Sequence, residues 1–173
     1  MALNIKSVNS CKSIDITAIP TTTAPSGKID VKDLPGNTTT SFNVTFSNSF
    51  VKLRIPLDTL NSSSGVFMIT LTELAAGNTA VSATKAVLVH CDIDCCLMKL
   101  TNELLACECD CPRCSSALAK AQKIYLLLQS AIGKVEEINA GPQGSTVMGE
   151  YEDIVDKYQK AKELCDGSCG CEC

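Results

Sequence analysis

The distribution of cysteine limits what this chain can fold into more than any other feature. Of the twelve cysteines, only Cys11 precedes His90. The others form three late groups: Cys91, Cys95 and Cys96; Cys107, Cys109, Cys111 and Cys114; and Cys165, Cys169, Cys171 and Cys173. A half that holds nearly all the thiols is expected to be built differently from the half that holds one. Charge changes at the same place. Residues 1–90 carry seven Lys/Arg and five Asp/Glu, whereas residues 91–173 carry eight and fourteen, which gives +2 and -6 of the overall -4. Runs of Ser and Thr fill the first part and nearly vanish afterwards. The joint shift predicts two units, 1–90 and 91–173. No internal repeat is present at a spacing of roughly 20–50 residues.

The first unit reads as strands. Ser41-Phe42-Asn43-Val44-Thr45-Phe46 and Phe50-Val51-Lys52-Leu53-Arg54-Ile55 alternate apolar with polar, the period of a half-buried strand. The short link Ser47-Asn48-Ser49 predicts that these two pair as a hairpin. Val66–Thr72 is rich in β-favouring residues, and Ala80–His90 alternates again. Leu3–Val8, Ile14–Ile19 and Lys28–Val31 are further candidates. Together they predict an antiparallel β-sandwich of Ig-like type with about seven short strands.

The second unit reads as a three-helix, cysteine-rich bundle, so the fold class expected is α+β. Ile93, Leu97, Leu100, Leu104 and Cys107 make one apolar seam, and Asp92 and Asp94 suit the positive end of the helix dipole. Leu118, Ala121, Tyr125, Leu128, Ile132 and Val135 make a second seam. The same helix carries Ile124, Leu127, Ala131 and Ile138 on another face, which predicts a central helix packed on two sides. Gly141-Pro142-Gln143-Gly144 breaks the chain, and Ser145 or Thr146 can cap a third helix. Its seam is Val147, Tyr151, Ile154, Tyr158, Ala161 and Cys165. Short links predict an antiparallel arrangement.

That arrangement brings thiols together. The end of the third helix is expected near the start of the second. Cys107, Cys109, Cys111 and Cys114 should then meet Cys165, Cys169, Cys171 and Cys173 at one end of the bundle. Eight thiolates suffice for one or two tetrahedral zinc sites, since zinc takes four soft donors at about 2.3 Å. A metal would pin the tail, and its binding energy would count towards folding. The same eight cysteines can form disulfides instead, although a chain with no visible export signal is expected to fold in a reducing cytosol. The bonds would then close on later contact with oxidant. For Cys11, Cys91, Cys95 and Cys96 the expectation is packing as small hydrophobes, with Cys11 a neighbour of the first late group.

Other chemistry is poorly represented. His90 is the only histidine, so a Ser-His-Asp or Cys-His site could be built only around it. There is no phosphate-cradling glycine loop of either common type. Cys111-Pro112-Arg113-Cys114 has the spacing of a redox motif, but it follows a helix and not a strand. Net charge of -4 opposes a nucleic-acid footprint, and no apolar run reaches the roughly 18 residues of a membrane span. The expectation is a protein without enzymatic activity.

Cys107-x-Cys-x-Cys-x-x-Cys114 followed by Leu118-x-x-Ala-x-x-Ile-Tyr-Leu-Leu-Leu128 resembles small structural proteins of tailed bacteriophages, over about residues 91–138. The resemblance implies a virion component of the head–tail connector, neck or tail, assembled in the bacterial host cytoplasm. It further implies many copies in a ring, contacts with other virion proteins, and no catalytic residues. The competing expectation is a cytosolic, zinc-stabilised adaptor that binds a protein partner. A thiol oxidoreductase using Cys111 and Cys114 is the third.

Overall fold

The structure is a computed structural model. It describes residues 2–6, 11–20, 26–34, 36–46, 50–60, 62–74, 80–107, 112–141 and 148–166, excluding the side chains of 2–6, 74, 80, 81, 113 and 148. The fold is α+β, with antiparallel sheets followed by three helices. One sheet has the order β1-β2-β5, formed by Ala2–Lys6, Ser13–Ile19 and Val51–Pro56. The other has the order β4-β3-β6-β7, formed by Thr39–Thr45, Ser26–Leu34, Gly65–Leu74 and Ala80–Val89. The helices are α1 (Cys91–Leu105), α2 (Pro112–Ala140) and α3 (Met148–Asp166).

Period-2 patterning makes the first core. Ile14, Ile16 and Ala18 of β2 and Ile55 of β5 point inward from one sheet. Ile29, Val31, Phe67, Ile69, Leu71, Val87 and Val89 point inward from the other. The intervening residues of β2 are half-buried or exposed, as alternation requires. Gly27 is fixed by close approach: a Cβ there would lie 2.8 Å from the Thr72 carbonyl oxygen and 2.9 Å from the Phe46 ring.

The expected hairpin across Ser47-Asn48-Ser49 does not form. β4 pairs with β3 instead, from Ser26↔Thr45 to Lys32↔Thr39, and β5 pairs with β2. The chain therefore changes sheet between β4 and β5. Both strands turn their alternating apolar faces to the same core, but from opposite layers. The tight turn is one connection earlier, where Asn37 takes a left-handed φ of 55° and Asp33 N–H donates to the Thr38 carbonyl at 2.8 Å.

The four-stranded sheet is covered on its other face as well. Leu34, Val66 and Ala86 alternate with the residues just named, and they join Ile93, Cys96, Leu100, Ile124, Leu128, Ile154, Tyr158 and Ala161 in a second core. β6 is thus buried on both faces through Val66, Phe67 and Ile69, with Met68 partly buried among the helices. The molecule is layered as sheet, sheet, helices. The seam of α3 is buried as expected at Tyr151, Ile154, Tyr158, Ala161 and Cys165, while Val147 and the candidate caps Ser145 and Thr146 lie outside the described residues. α2 departs from expectation. Ile124, Leu128 and Ala131 are buried, but Leu118 is 47% and Tyr125 53% exposed. The sheet and the other helices occupy one side of α2, and the other side faces outward.

Candidate functional site: the tied joints

The cysteines do not gather as expected. Cys11, at the entrance to β2, is disulfide-bonded to Cys91, the first residue of α1, with Cα atoms 5.9 Å apart. Cys96 of α1 is bonded to Cys165 near the end of α3, at a Cα separation of 5.8 Å. Cys107 is bonded to Cys114 across the α1–α2 turn, at 6.2 Å. Cys95 is disulfide-bonded as well. Simple packing of Cys11, Cys91, Cys95 and Cys96 is therefore overturned: each is a cross-link. Of the other predicted ligands, Cys109, Cys111, Cys169, Cys171 and Cys173 lie outside the described residues.

The zinc expectation is also corrected. A sulfur committed to a disulfide has no thiolate to offer a metal, and Cys107, Cys114 and Cys165 are so committed. Among the described residues no group of three or more His, Cys, Asp or Glu could hold a metal ion. Cys114 is bonded to Cys107 and not to Cys111, so the two ends of the Cys111–Cys114 motif do not form the redox pair.

The reason Cys165 meets the first late group and not the second lies in helix direction and length. Asp92 at the start of α1 touches Tyr158 and Lys162, and Cys96 touches Cys165, so contacts advance together along α1 and α3. The two helices run parallel. Because α3 has 19 residues against the 29 of α2, its end is opposite the start of α1. Cys11–Cys91 thus ties the sheets to the helices, while Cys96–Cys165 and Cys107–Cys114 tie helix to helix within their layer.

Polar ties accompany them. The Tyr158 hydroxyl is buried and donates to Asp92 Oδ2 at 2.8 Å and Oδ1 at 3.0 Å. The same carboxylate accepts the Ile93 N–H at 2.9 Å in the first turn of α1, and Lys162 Nζ lies 3.4 Å from it. Burial raises the Tyr158 pKa. The Ser64 hydroxyl acts against this, and the Asp92 charge adds to it. Asn139 at the end of α2 serves the sheet edge. Its Oδ1 accepts the Ala86 N–H at 2.8 Å and its Nδ2 donates to the Ala86 carbonyl at 2.9 Å. Its own carbonyl accepts from Lys85 Nζ at 2.7 Å. The amide imitates one residue of a neighbouring strand and closes the edge of β7 at that point. Sequence reading missed Asn139, because nothing in one chain marks a helical amide as a strand partner. For Tyr158 the signal was available: a tyrosine on an apolar seam needs an acceptor for its hydroxyl.

His90 Nδ1 lies 2.9 Å from Asp94 Oδ2, four residues on in the same helix start. A recess of about 240 Å³ lies along β2 and β5, lined by Asp15, Ile16, Thr17, Lys52, Leu53 and Arg54. Its Arg54 is engaged by Asp15 through bonds of 2.8 and 3.0 Å. No helix among the described residues is long and apolar enough to cross a membrane. A scan against protein-family models and a search of curated proteins found no match to this chain.

Proposed function

We propose that this protein is a non-enzymatic structural subunit of a tailed-phage virion, docking neighbouring copies and other virion proteins in a connector, neck or tail ring. The observation that carries the reading is the placement of the disulfides. They sit between the sheets and α1, between α1 and α3, and at the α1–α2 turn. Cross-links within the helical layer and from it to the sheets resist shear and dilution outside a cell, where a subunit receives no chaperone or resynthesis. The subunit folds and assembles in the host cytoplasm, and its bonds close when lysis exposes the particle to oxidant.

The sheet pair is read as Ig-like. The orders β1-β2-β5 and β4-β3-β6-β7 match strands A-B-E facing C′-C-F-G of such sandwiches, which supports that topology. The phage assignment rests on the resemblance over residues 91–138. The test is quantitative mass spectrometry of gradient-purified particles from a lysed culture, with and without a thiol-blocking reagent. The expected result is a fixed copy number per particle, with Cys11–Cys91 and Cys96–Cys165 peptides cross-linked. Recovery of the chain only in the soluble fraction would overturn the assignment.

A further inference from the structure

We propose that the outward face of α2 is a two-fold docking surface for a second copy of this chain, with the two α2 helices antiparallel. Leu118, Tyr125 and Leu126 are 47%, 53% and 68% exposed there, which is unusual company for one helix face. At about 100° per residue, Leu118, Gln122, Tyr125, Leu126, Gln129 and Gly133 fall within one arc of roughly 100°, and all are exposed. None is charged. A strip uncharged except for Glu136 at one end meets an antiparallel copy of itself with no like charges opposed.

The order of sizes along the strip selects the partner. If a two-fold axis passes between Tyr125 and Leu126, Leu118 of one copy lies opposite Gly133 of the other. Gln122 lies opposite Gln129, while beside the axis Tyr125 flanks its own counterpart on one margin and Leu126 flanks its counterpart on the other. The large side chain meets the glycine, and the amides meet each other. The pattern reads the same from both ends, as an isologous contact demands. A Cβ placed on Gly133 would have nothing within 4 Å, so the notch is open in the single chain. Charge is complementary at the strip's two ends. In this register Glu136 stands over Ser115 in the first turn of the partner's α2, where backbone N–H groups and the helix dipole favour a carboxylate. From Ser115 to Glu136 the strip is about 32 Å long and about 10 Å wide. That is about 320 Å² a side, below the roughly 800 Å² of a standard interface, so weak, reversible association at the upper end of the concentration range is expected.

The inference requires only the surface of α2 and stands apart from the virion assignment. Sedimentation of the purified, oxidised chain from about 1 to 200 μM is the test. The expected result is a rise from the 18.3 kDa monomer to twice that mass. Gly133→Leu fills the notch without touching the monomer's own atoms and should weaken association at least tenfold. Gly133→Leu combined with Leu118→Ala exchanges knob and notch and should restore it. A photo-crosslinker at Gln122 should capture the peptide that contains Gln129. A chain that stays monomeric across the range, or a Gly133→Leu variant that dimerises as well as the parent, would overturn the proposal.

Discussion

The core between the two sheets and the core between sheet and helices are held by different means. The first is aliphatic with one phenylalanine at its centre: Ile14, Ile16, Ile29, Ile55, Ile69 and Phe67 are fully enclosed. Its layers are ladders of backbone hydrogen bonds, so each strand is fixed by neighbours before side chains pack. The second contains Tyr151, Tyr158, Cys96 and Cys165 among its aliphatic residues. Its helices satisfy their own backbones and so gain no positional constraint from one another. One side of α2 faces outward, which leaves less area to bury. The helical layer relies on point ties, covalent and polar, where the sheet layers rely on continuous pairing.

The strongest way to break the contrast is to cut a tie. In the chain-entropy picture a bridge closing a loop of 69 residues is worth about 4 kcal/mol, and one closing 7 residues roughly 2 kcal/mol. Replacing Cys96 and Cys165 together by Ala should lower stability by about 4 kcal/mol in chemical denaturation. Replacing Cys107 and Cys114 should lower it by about half as much. Native-state hydrogen exchange should show the first loss concentrated in α1 and α3, with β2, β3 and β6 keeping their protection. Equal loss of protection in the sheets would show that the two cores behave as one.

Next in size is a cavity in the sheet core. Ile69→Ala removes an enclosed side chain from the core it shares with Ile14 and Ile16 of the opposite sheet and Ile29 of its own. It should cost about 3 kcal/mol in the same denaturation experiment. The effect should not depend on whether the disulfides are reduced, because no tie passes through that site. A cost that changes severalfold on reduction would mean that the two cores are coupled.

These two experiments touch features that differed in how legible they were. The strands were readable because alternation at Ile14-Asp15-Ile16 or Val44-Thr45-Phe46 is a local signal, and the three helices because their seams repeat every three to four residues. Strand pairing was not readable, since β4 and β5 show the same alternation whether they pair or face one another. Nor was the covering of the second face of β6, although Val66-Phe67-Met68-Ile69 is the unbroken apolar run such a strand shows. The thiol geometry failed because helix length decides which ends meet, and α2 begins at Pro112, earlier than its seam suggested. The neighbourhood of Cys11 and Cys91 was foreseen, but not the bond between them.

A smaller effect should follow at the polar joint between the layers. Asn139→Leu removes an acceptor for the Ala86 N–H and a donor to its carbonyl while keeping side-chain volume. The partly buried strand groups lose partners, at about 2 kcal/mol. Asn139→Asp keeps the acceptor but sets a carboxylate oxygen against the Ala86 carbonyl in place of the donor, so it should cost at least as much. Amide exchange at Ala86 reports the site directly. If exchange there is as slow in the Leu variant as in the parent, the amide is not what protects the edge of β7.

The smallest effect at neutral pH, and the most specific one at high pH, belongs to Tyr158. Tyr158→Phe removes the bond to Asp92 and should cost about 1 kcal/mol at pH 7–8. Burial first, and then the Asp92 carboxylate, raise the Tyr158 pKa above its ordinary value. A raised pKa means that the folded state holds the proton more tightly than the unfolded chain does. This contribution is complete below about pH 10, where an unfolded tyrosine still keeps its proton. Above that pH the unfolded chain ionises and the folded one does not, so stability declines as pH rises towards the folded pKa. Tyr158→Phe has no proton to release there, and its denaturation midpoint should fall less steeply between about pH 10 and 12. Lysine titration lowers both curves alike and cancels in the difference. Parallel declines for parent and variant would mean that the Tyr158–Asp92 tie does not hold α3 to the start of α1, and the contrast between point ties and continuous pairing would lose its polar half.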